Sequence, residues 1–234
     1  IIAADGKNSD TKNLIGNKTF KKKYSENAMV LNFSHKKNLN GVAYEIFLEN
    51  GPLAILPMKQ VKKNYHSTVI WSNNKKILRS LNECNNEFVA NFMEEKIGNL
   101  VGKIIKINSK QIFPLSAHIN DSFINKRLIY IGDAAHSIHP IAGQGWNLGV
   151  FDVKNLFKIC KKKESPIGSD LFCKNYNHLS YNKAFQLYQI TDKLDLHFKN
   201  NIKIYRLLSS LGFGFIENST EFKNKITKYA MGVN

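Results

Sequence analysis

The stretch Leu128-Ile-Tyr-Ile-Gly-Asp-Ala-Ala-His-Ser-Ile-His-Pro-Ile-Ala-Gly-Gln-Gly-Trp-Asn-Leu-Gly-Val-Phe-Asp152 decides how this chain folds. Leu128 to Ile131 is a short apolar run closed by glycine, the pattern of a strand buried on both faces of an α/β sheet. Asp133 then falls at the carboxyl end of that strand, where open α/β sheets bind their ligands. A carboxylate there accepts hydrogen bonds from sugar hydroxyls and is poorly suited to touch phosphate. Gly143, Gly145 and Gly149 remove side chains where a flat ring or a phosphate needs close backbone approach, and Pro140 stiffens the path to them. From Gln144 onward, Leu148, Phe151, Leu156 and Ile159 mark a helix with one buried face, its positive dipole end turned back towards Asp133. One glycine and an aspartate would make an ordinary strand-to-helix turn; the whole ordered pattern points to a cofactor site.

Upstream, Met29 to Phe33, Val42 to Leu48, Leu53 to Pro57 and Ser67 to Trp71 read as short strands separated by polar turns, which predicts an antiparallel sheet. Glu87 to Ile97 is a helix candidate with Phe88, Phe92 and Met93 inward, followed by strands over Val101 to Ile107 and Gln111 to Ser116. Downstream, Leu187, Ile190, Leu194, Phe198, Ile202, Tyr205 and Leu208 recur at three- and four-residue steps as one helical stripe ending before Gly212. Phe213, Phe215 and Ile216 cluster around Gly212 and Gly214, and a final helix closes at Ala230-Met231-Gly232.

A chain of 234 residues with 43% hydrophobic content can bury a sizeable core. Its longest apolar runs fall short of the ~18 residues a membrane-spanning helix needs. Cys84, Cys160 and Cys173 form no Cys-x-x-Cys pair, which fits a reducing compartment. The net charge of +16 raises nucleic-acid binding, yet the only arginines are Arg79, Arg127 and Arg206, and the lysines are dispersed in short clusters. A solvated surface is the reading adopted, with no nucleic-acid partner. The lesser reading is attraction to anionic lipid headgroups, worth ~1 kcal/mol per nearby cation. Asp133, His136 and His139 lie across a turn containing Pro140 rather than on one helix face, so no metal site is expected.

The stretch from Gly132 to Asp152 closely resembles the second flavin-binding motif of the FAD-dependent aromatic hydroxylases, the class of p-hydroxybenzoate hydroxylase, and especially their ubiquinone-biosynthesis branch. The match runs through Gly132, Asp133, Ala134, Ala135, His136, Pro140, Gly143, Gln144, Gly145, Asn147, Leu148, Gly149 and Asp152. Ala4-Asp5-Gly6-Lys7-Asn8-Ser9 followed by Lys12 is similar to the Asp-Gly motif of that family, with lysine in place of the usual arginine. A lysine loses the planar fork that makes bidentate contacts. Stretches such as Gly51-Pro52-Leu53, Val69-Ile70-Trp71 and Phe113-Pro114-Leu115 also look like the ubiquinone branch.

The resemblance implies a mixed α/β (α+β) fold: a partial Rossmann-like FAD-binding domain, an inserted antiparallel substrate sheet and carboxyl-terminal helices. The expected divisions are 1–16 and 127–168 for the flavin-binding segments, 17–126 for the substrate domain and 169–234 for the helical region. FAD is the implied cofactor and NAD(P)H the implied electron donor. Asp133 would take the ribityl hydroxyls; Pro140 and the backbone of Ala142, Gly143, Gln144 and Gly145 would meet the isoalloxazine edge, Pro140 and Gly143 nearest the chemistry. Asn147 and Leu148 would sit at the helix start, Gly132 in the turn, and Asp5 and Gly6 on the pyrophosphate side. Leu56, Pro57 and Phe113 are candidates for the substrate pocket, and His118 is read as a satisfied polar residue at a strand end. The implied activity is hydroxylation of a polyprenylated phenol with O2. The alternatives are a flavin hydroxylase of a small soluble aromatic acid, or an inactive remnant. The family's opening Gly-x-Gly-x-x-Gly turn is absent from these residues and Ile1-Ile2-Ala3-Ala4 reads as mid-strand, so an amino-terminally truncated, inactive fragment is expected. Expected partners are a small or lipid-borne aromatic substrate and a ubiquinone-biosynthesis complex. The expected location is cytoplasmic, with peripheral contact on the inner membrane face.

Overall fold

A computed structural model describes residues 1–48, 50–61, 63–199 and 203–231. The chain divides into two units, Ile1–Lys23 with Ser116–Asn234, and Tyr24–Leu115. Ile202 of the expected stripe and Gly232 of the expected last helix lie outside the described residues.

The first unit is built on a short parallel pair. Strand β1 (Ile2–Ala3) is followed by helix α1 (Asp10–Ile15) and by the start of β2 (Thr19–His35). The second unit carries β3 (Tyr44–Leu48), β4 (Gly51–Val61), β5 (Asn64–Asn74), α2 (Lys75–Glu83) and α3 (Asn86–Val101). Strand β6 (Ile104–Asn120) returns the chain to the first unit, where β7 (Ile124–Asn125), β8 (Leu128–Tyr130) and β9 (His136–Ser137) follow. Helices α4 (Gly145–Lys162), α5 (Asp170–Lys199), α6 (Lys203–Asn218) and α7 (Thr220–Met231) complete it.

In the first unit Leu128, Ile129 and Tyr130 are all buried, as a strand covered on both faces must be. They pair with β1 in parallel, Ile2 opposite Ile129 and Ala3 opposite Tyr130, and with β7 in antiparallel. Helices α4 and α5 pack on this strand through Leu148, Ile159, Phe172, Cys173, Tyr176 and Ala184. The Tyr176 hydroxyl donates to the Tyr130 carbonyl at 3.0 Å, and burial pushes that phenol far above its ordinary pKa. The expected stripe of α5 is rotated: Ile190 is 43% exposed, whereas Thr191 and Asp195 are buried. The cause is polar, because Asp195 turns inward to meet His139. Helix α6 also runs through Gly212 instead of ending before it, since neither Gly212 nor Gly214 is forced to leave helical geometry.

In the second unit the antiparallel order is β3-β4-β5-β2-β6, with β2 and β5 in register from Glu26/Asn74 to His35/Tyr65. Alternate residues Met29, Leu31 and Phe33, with Leu53, Ile55, Val69 and Trp71, form one buried face closed by Leu78, Val89, Met93, Ile97 and Val101. Helix α2 carries no expectation above because its few apolar positions, Ile77, Leu78 and Leu81, are set among polar residues in a nine-residue element. Its signal was Asn74, whose side chain caps it by accepting the Lys76 N–H at 2.8 Å. Phe88 is corrected: it is 53% exposed and stacks on Phe92, while Val89 takes the inward place one residue on. The expected strands over 101–107 and 111–116 are one strand, β6, and Val101 belongs to α3.

Candidate functional site

Parallel pairing decides where the two sequence motifs go. Because β1 and β8 run in the same direction, their carboxyl ends lie together, and Ile131 N–H donates to the Ala3 carbonyl at 3.0 Å. The Ala4-Asp5-Gly6 turn and the Gly132-Asp133 turn, more than a hundred residues apart in the chain, therefore leave the sheet side by side. That is the ligand-binding end of an open α/β sheet.

The Asp-Gly turn is held by its own side chains. Asp5 Oδ2 accepts the Thr11 N–H at 3.0 Å, and Ser9 caps α1 by accepting the Lys12 N–H at 3.0 Å. Hydrogen bonds from Ser9 and Thr11 hold the Asp5 carboxyl well below the usual carboxylate range. Gly6 has φ +81 with open space where a Cβ would stand. Lys12, 4% exposed, places Nζ 3.4 Å from the Lys7 carbonyl and 3.5 Å from His118 Nε2. Lys7 Nζ donates to the Ser116 carbonyl at 2.8 Å. Burial lowers the pKa of both lysines, offset in Lys7 by Asp133 and in Lys12 by Asp5. Burial, then the charges of Lys12 and Lys7, push His118 down to about 4.

The Gly-Asp turn is pinned from below. Gly132 adopts φ +56, a conformation glycine takes without a Cβ penalty, and its N–H donates to Asp152 Oδ2 at 2.9 Å. His136 Nε2 meets the same oxygen at 2.7 Å, both side chains being buried. Asn120 donates from Nδ2 to the Ala134 carbonyl at 3.0 Å, and Ala134 and Ala135 are fully buried. The Asp133 side chain, between these fastenings, stays exposed.

The second turn begins with His139 accepting the Ile141 N–H on Nδ1 at 3.2 Å, while its Nε2 lies 3.3 Å from Asp195 Oδ1 on α5. Pro140 and Gly143 are exposed, and Gly143 takes φ +60 to reverse the chain into α4. Around Gly143 and Gly145 an added Cβ would meet nothing within 4 Å. Bare main chain at the start of an 18-residue helix, with an exposed carboxylate acceptor on the neighbouring turn, fits a flat ring and a polyol chain. Asn147 lies on this rim, donating to Gln144 Oε1 at 3.2 Å. Leu148 does not: its side chain is 1% exposed in the core, leaving only its main chain to the site.

Asp5, Gly6, Gly132, Asp133, Pro140, Ala142, Gly143, Gln144, Gly145 and Asn147 all lie in the first unit, those of the Asp-Gly and Gly-Asp turns where β1 and β8 end side by side. Leu56, Pro57 and Phe113 belong to the second unit, on β4 and β6. Leu56 is 37% and Phe113 48% exposed, while Pro57 lines a cavity of about 330 Å³ with His35, Tyr65 and Ser67. Among the described residues no group of three His, Cys, Asp or Glu converges as a metal site would require. The sequence reading named His136 and Asp152 only as motif positions and His118 only as a satisfied strand-end residue, without their roles in fastening the turns, and it passed over Asp195. A polar residue at a helical core position, as Asp152 is between Leu148 and Ile159, was the signal available.

Residues 1–178 match the model of a family described as FAD binding domain. The chain is 28% identical to ubiquinone hydroxylase UbiL of Rhodospirillum rubrum, over 99% of this chain and 54% of that protein. It is 26% identical to the 3-demethoxyubiquinol 3-hydroxylase of Escherichia coli, over 100% of this chain and 59% of that protein. The chain spans about half the length of the curated relatives it matches. Among solved structures, p-nitrophenol 4-monooxygenase PnpA of Pseudomonas putida superposes with a TM-score of 0.69 at 17% identity, covering 96% of this chain and 56% of that one. That last likeness concerns the fold.

Proposed function

The chain belongs to the FAD-binding domain family over residues 1–178, and from that premise we propose that it serves a monooxygenase hydroxylating an aromatic ring, its substrate a polyprenylated phenol of ubiquinone biosynthesis. The observation that carries this reading is the adjacency of the Asp-Gly and Gly-Asp turns at the carboxyl ends of β1 and β8. FAD, when bound, supplies the oxygen and electron chemistry that no side chain can. Asp133 accepts hydrogen bonds from the ribityl hydroxyls, and the main chain from Ala142 to Gly145, stiffened by Pro140, lies along the ring edge. Asn147 and the backbone of Leu148 present the helix start. Asp5 shapes the turn on the pyrophosphate side rather than touching phosphate, since its carboxylate is engaged by Thr11 and Ser9. NAD(P)H is the electron donor in this reading, and Leu56, Pro57 and Phe113 are the substrate-pocket candidates. The protein's share of the catalysis is orientation, exclusion of water and electrostatic support.

A lipid-borne substrate agrees with two features. The chain is strongly basic, at +16, and α6 and α7 expose Phe213 (49%), Phe215 (63%) and Phe222 (43%). Among the described residues no helix is long and apolar enough to cross a membrane. Peripheral contact with an anionic leaflet, near a biosynthetic complex, follows as part of the proposal. The full-length protein, given FAD, O2 and NAD(P)H, is expected to add one oxygen atom to a polyprenylated phenol while leaving p-hydroxybenzoate and salicylate untouched. Hydroxylation of the small acids alone would favour the soluble-substrate reading, and no turnover with bound FAD would favour the inactive remnant.

A further inference from the structure

We propose that His118 is the positioning residue that ties the Asp-Gly turn to the Gly-Asp turn. The inference rests on the reading of the crevice as an FAD site. His118 stands opposite Ser137 in the β6–β9 pairing, so the backbone fixes its ring between two motifs far apart in the chain. On one side is Lys12 Nζ, 3.5 Å from Nε2; on the other, the strand that carries His118 is itself bonded to the Gly-Asp turn, Asn120 N–H donating to the Ala135 carbonyl at 2.9 Å and Asn120 Nδ2 to the Ala134 carbonyl at 3.0 Å. Both His118 and Lys12 are 4% exposed.

The chemistry of the pair sets the tautomer. An ammonium is donor only, so Nε2 must present its lone pair to Lys12. The ring proton then resides on Nδ1. Burial and the charges of Lys12 and Lys7 keep the ring neutral at neutral pH, so the bridge is intact there. A lysine at position 12 suits this task, because a point charge satisfies one lone pair where a guanidinium fork asks for two acceptors. The bridge fastens the helix that follows the Asp-Gly turn to the strand against which the Gly-Asp turn is held.

Two measurements on the full-length protein test this. Nitrogen-15 NMR of labelled histidine should report the Nδ1–H tautomer for His118 at pH 7, and Lys12→Met should redistribute it. An Nε2–H tautomer overturns the bridge whether or not FAD binds. By flavin fluorescence quenching, His118→Leu should raise the Kd for FAD on the order of tenfold. His118→Gln, which keeps one donor and one acceptor, should recover most of that loss. Lys12→Met combined with His118→Leu should be no worse than the worse single variant. A Leu variant within twofold of the parent, no rescue by Gln, or fully additive losses would each overturn the proposal. Should the unmodified protein itself bind no FAD, the FAD reading fails, and the tautomer alone decides whether the bridge exists.

Discussion

His136 and Asp152, sixteen residues apart, meet with Nε2 2.7 Å from Oδ2, and that same oxygen accepts the Gly132 N–H at 2.9 Å. One buried carboxylate thereby joins helix α4 to both ends of the Gly-Asp turn. The shared oxygen explains why an acidic residue stands on the inward face of a helix otherwise packed through Leu148 and Ile159. Asp133 inherits its placement from this joint, since Gly132 before it and His136 after it are both held by Asp152.

Removing that carboxylate leaves two buried donors without an acceptor. Asp152→Ala should cost about 3 kcal/mol, read as a lowered midpoint in urea unfolding of the full-length protein. Asp152→Asn retains one acceptor and should fall between the two. A midpoint unchanged in the alanine variant would show that the joint carries no weight.

Asp133 presents the opposite case, since its side chain is exposed and its neighbours are fastened without it. Asp133→Ala should change stability by no more than about 0.5 kcal/mol, yet lower the flavin absorbance per mole of purified protein. Full flavin occupancy in that variant would remove Asp133 from the site.

The strand-turn-helix element was legible in the sequence because its signals are local: an apolar strand, glycines at reversals, a helix start. Gly132 and Gly143 do take positive φ where the turns demand it. The fastenings were illegible because each is a long-range polar contact, His139 with Asp195 or Lys12 with His118, and periodicity weighs only apolar residues. The same blindness misplaced the α5 stripe, in which buried Thr191 and Asp195 occupy positions that hydropathy assigned to Ile190 and Leu194. Phe88 misled differently: two phenylalanines at helical spacing look like core, but they stack on each other at 6.3 Å, with Phe88 itself exposed.

Glycine is required in the second unit at Gly51 more strictly than at Gly41. At Gly51, with φ +125, a Cβ would lie 2.1 Å from the Ser72 carbonyl oxygen, a rigid main-chain atom; at Gly41, with φ +75, it would meet nothing within 4 Å. Gly41→Ala should cost about 1 kcal/mol from backbone strain alone. Gly51→Ala should cost more than about 3 kcal/mol, because the hairpin must open to admit the methyl group. Equal shifts in the two unfolding midpoints would contradict the close approach of Gly51 to β5.

Stability should also depend on pH through His118. Its pKa is about 4 in the fold against the ordinary 6.5, lowered by burial, then by Lys12 and Lys7, with His136 adding to the repulsion. Above 6.5 the ring is neutral in both states and contributes nothing. Between 6.5 and 4 the unfolded chain binds a proton that the folded chain refuses, so stability falls as the pH drops, by at most about 1.4 kcal/mol per pH unit for one proton. Asp5 is distinguishable, because its carboxyl is held below the ordinary 3.8 and its contribution is lost only under that value. Burial also lowers the pKa of His35 in the second unit, so the comparison must be made between variants rather than read from one curve. Urea midpoints at pH 7, 6 and 5 should fall less steeply in His118→Gln than in the parent, and parallel slopes would show that the ring beside Lys12 accepts a proton as readily folded as unfolded.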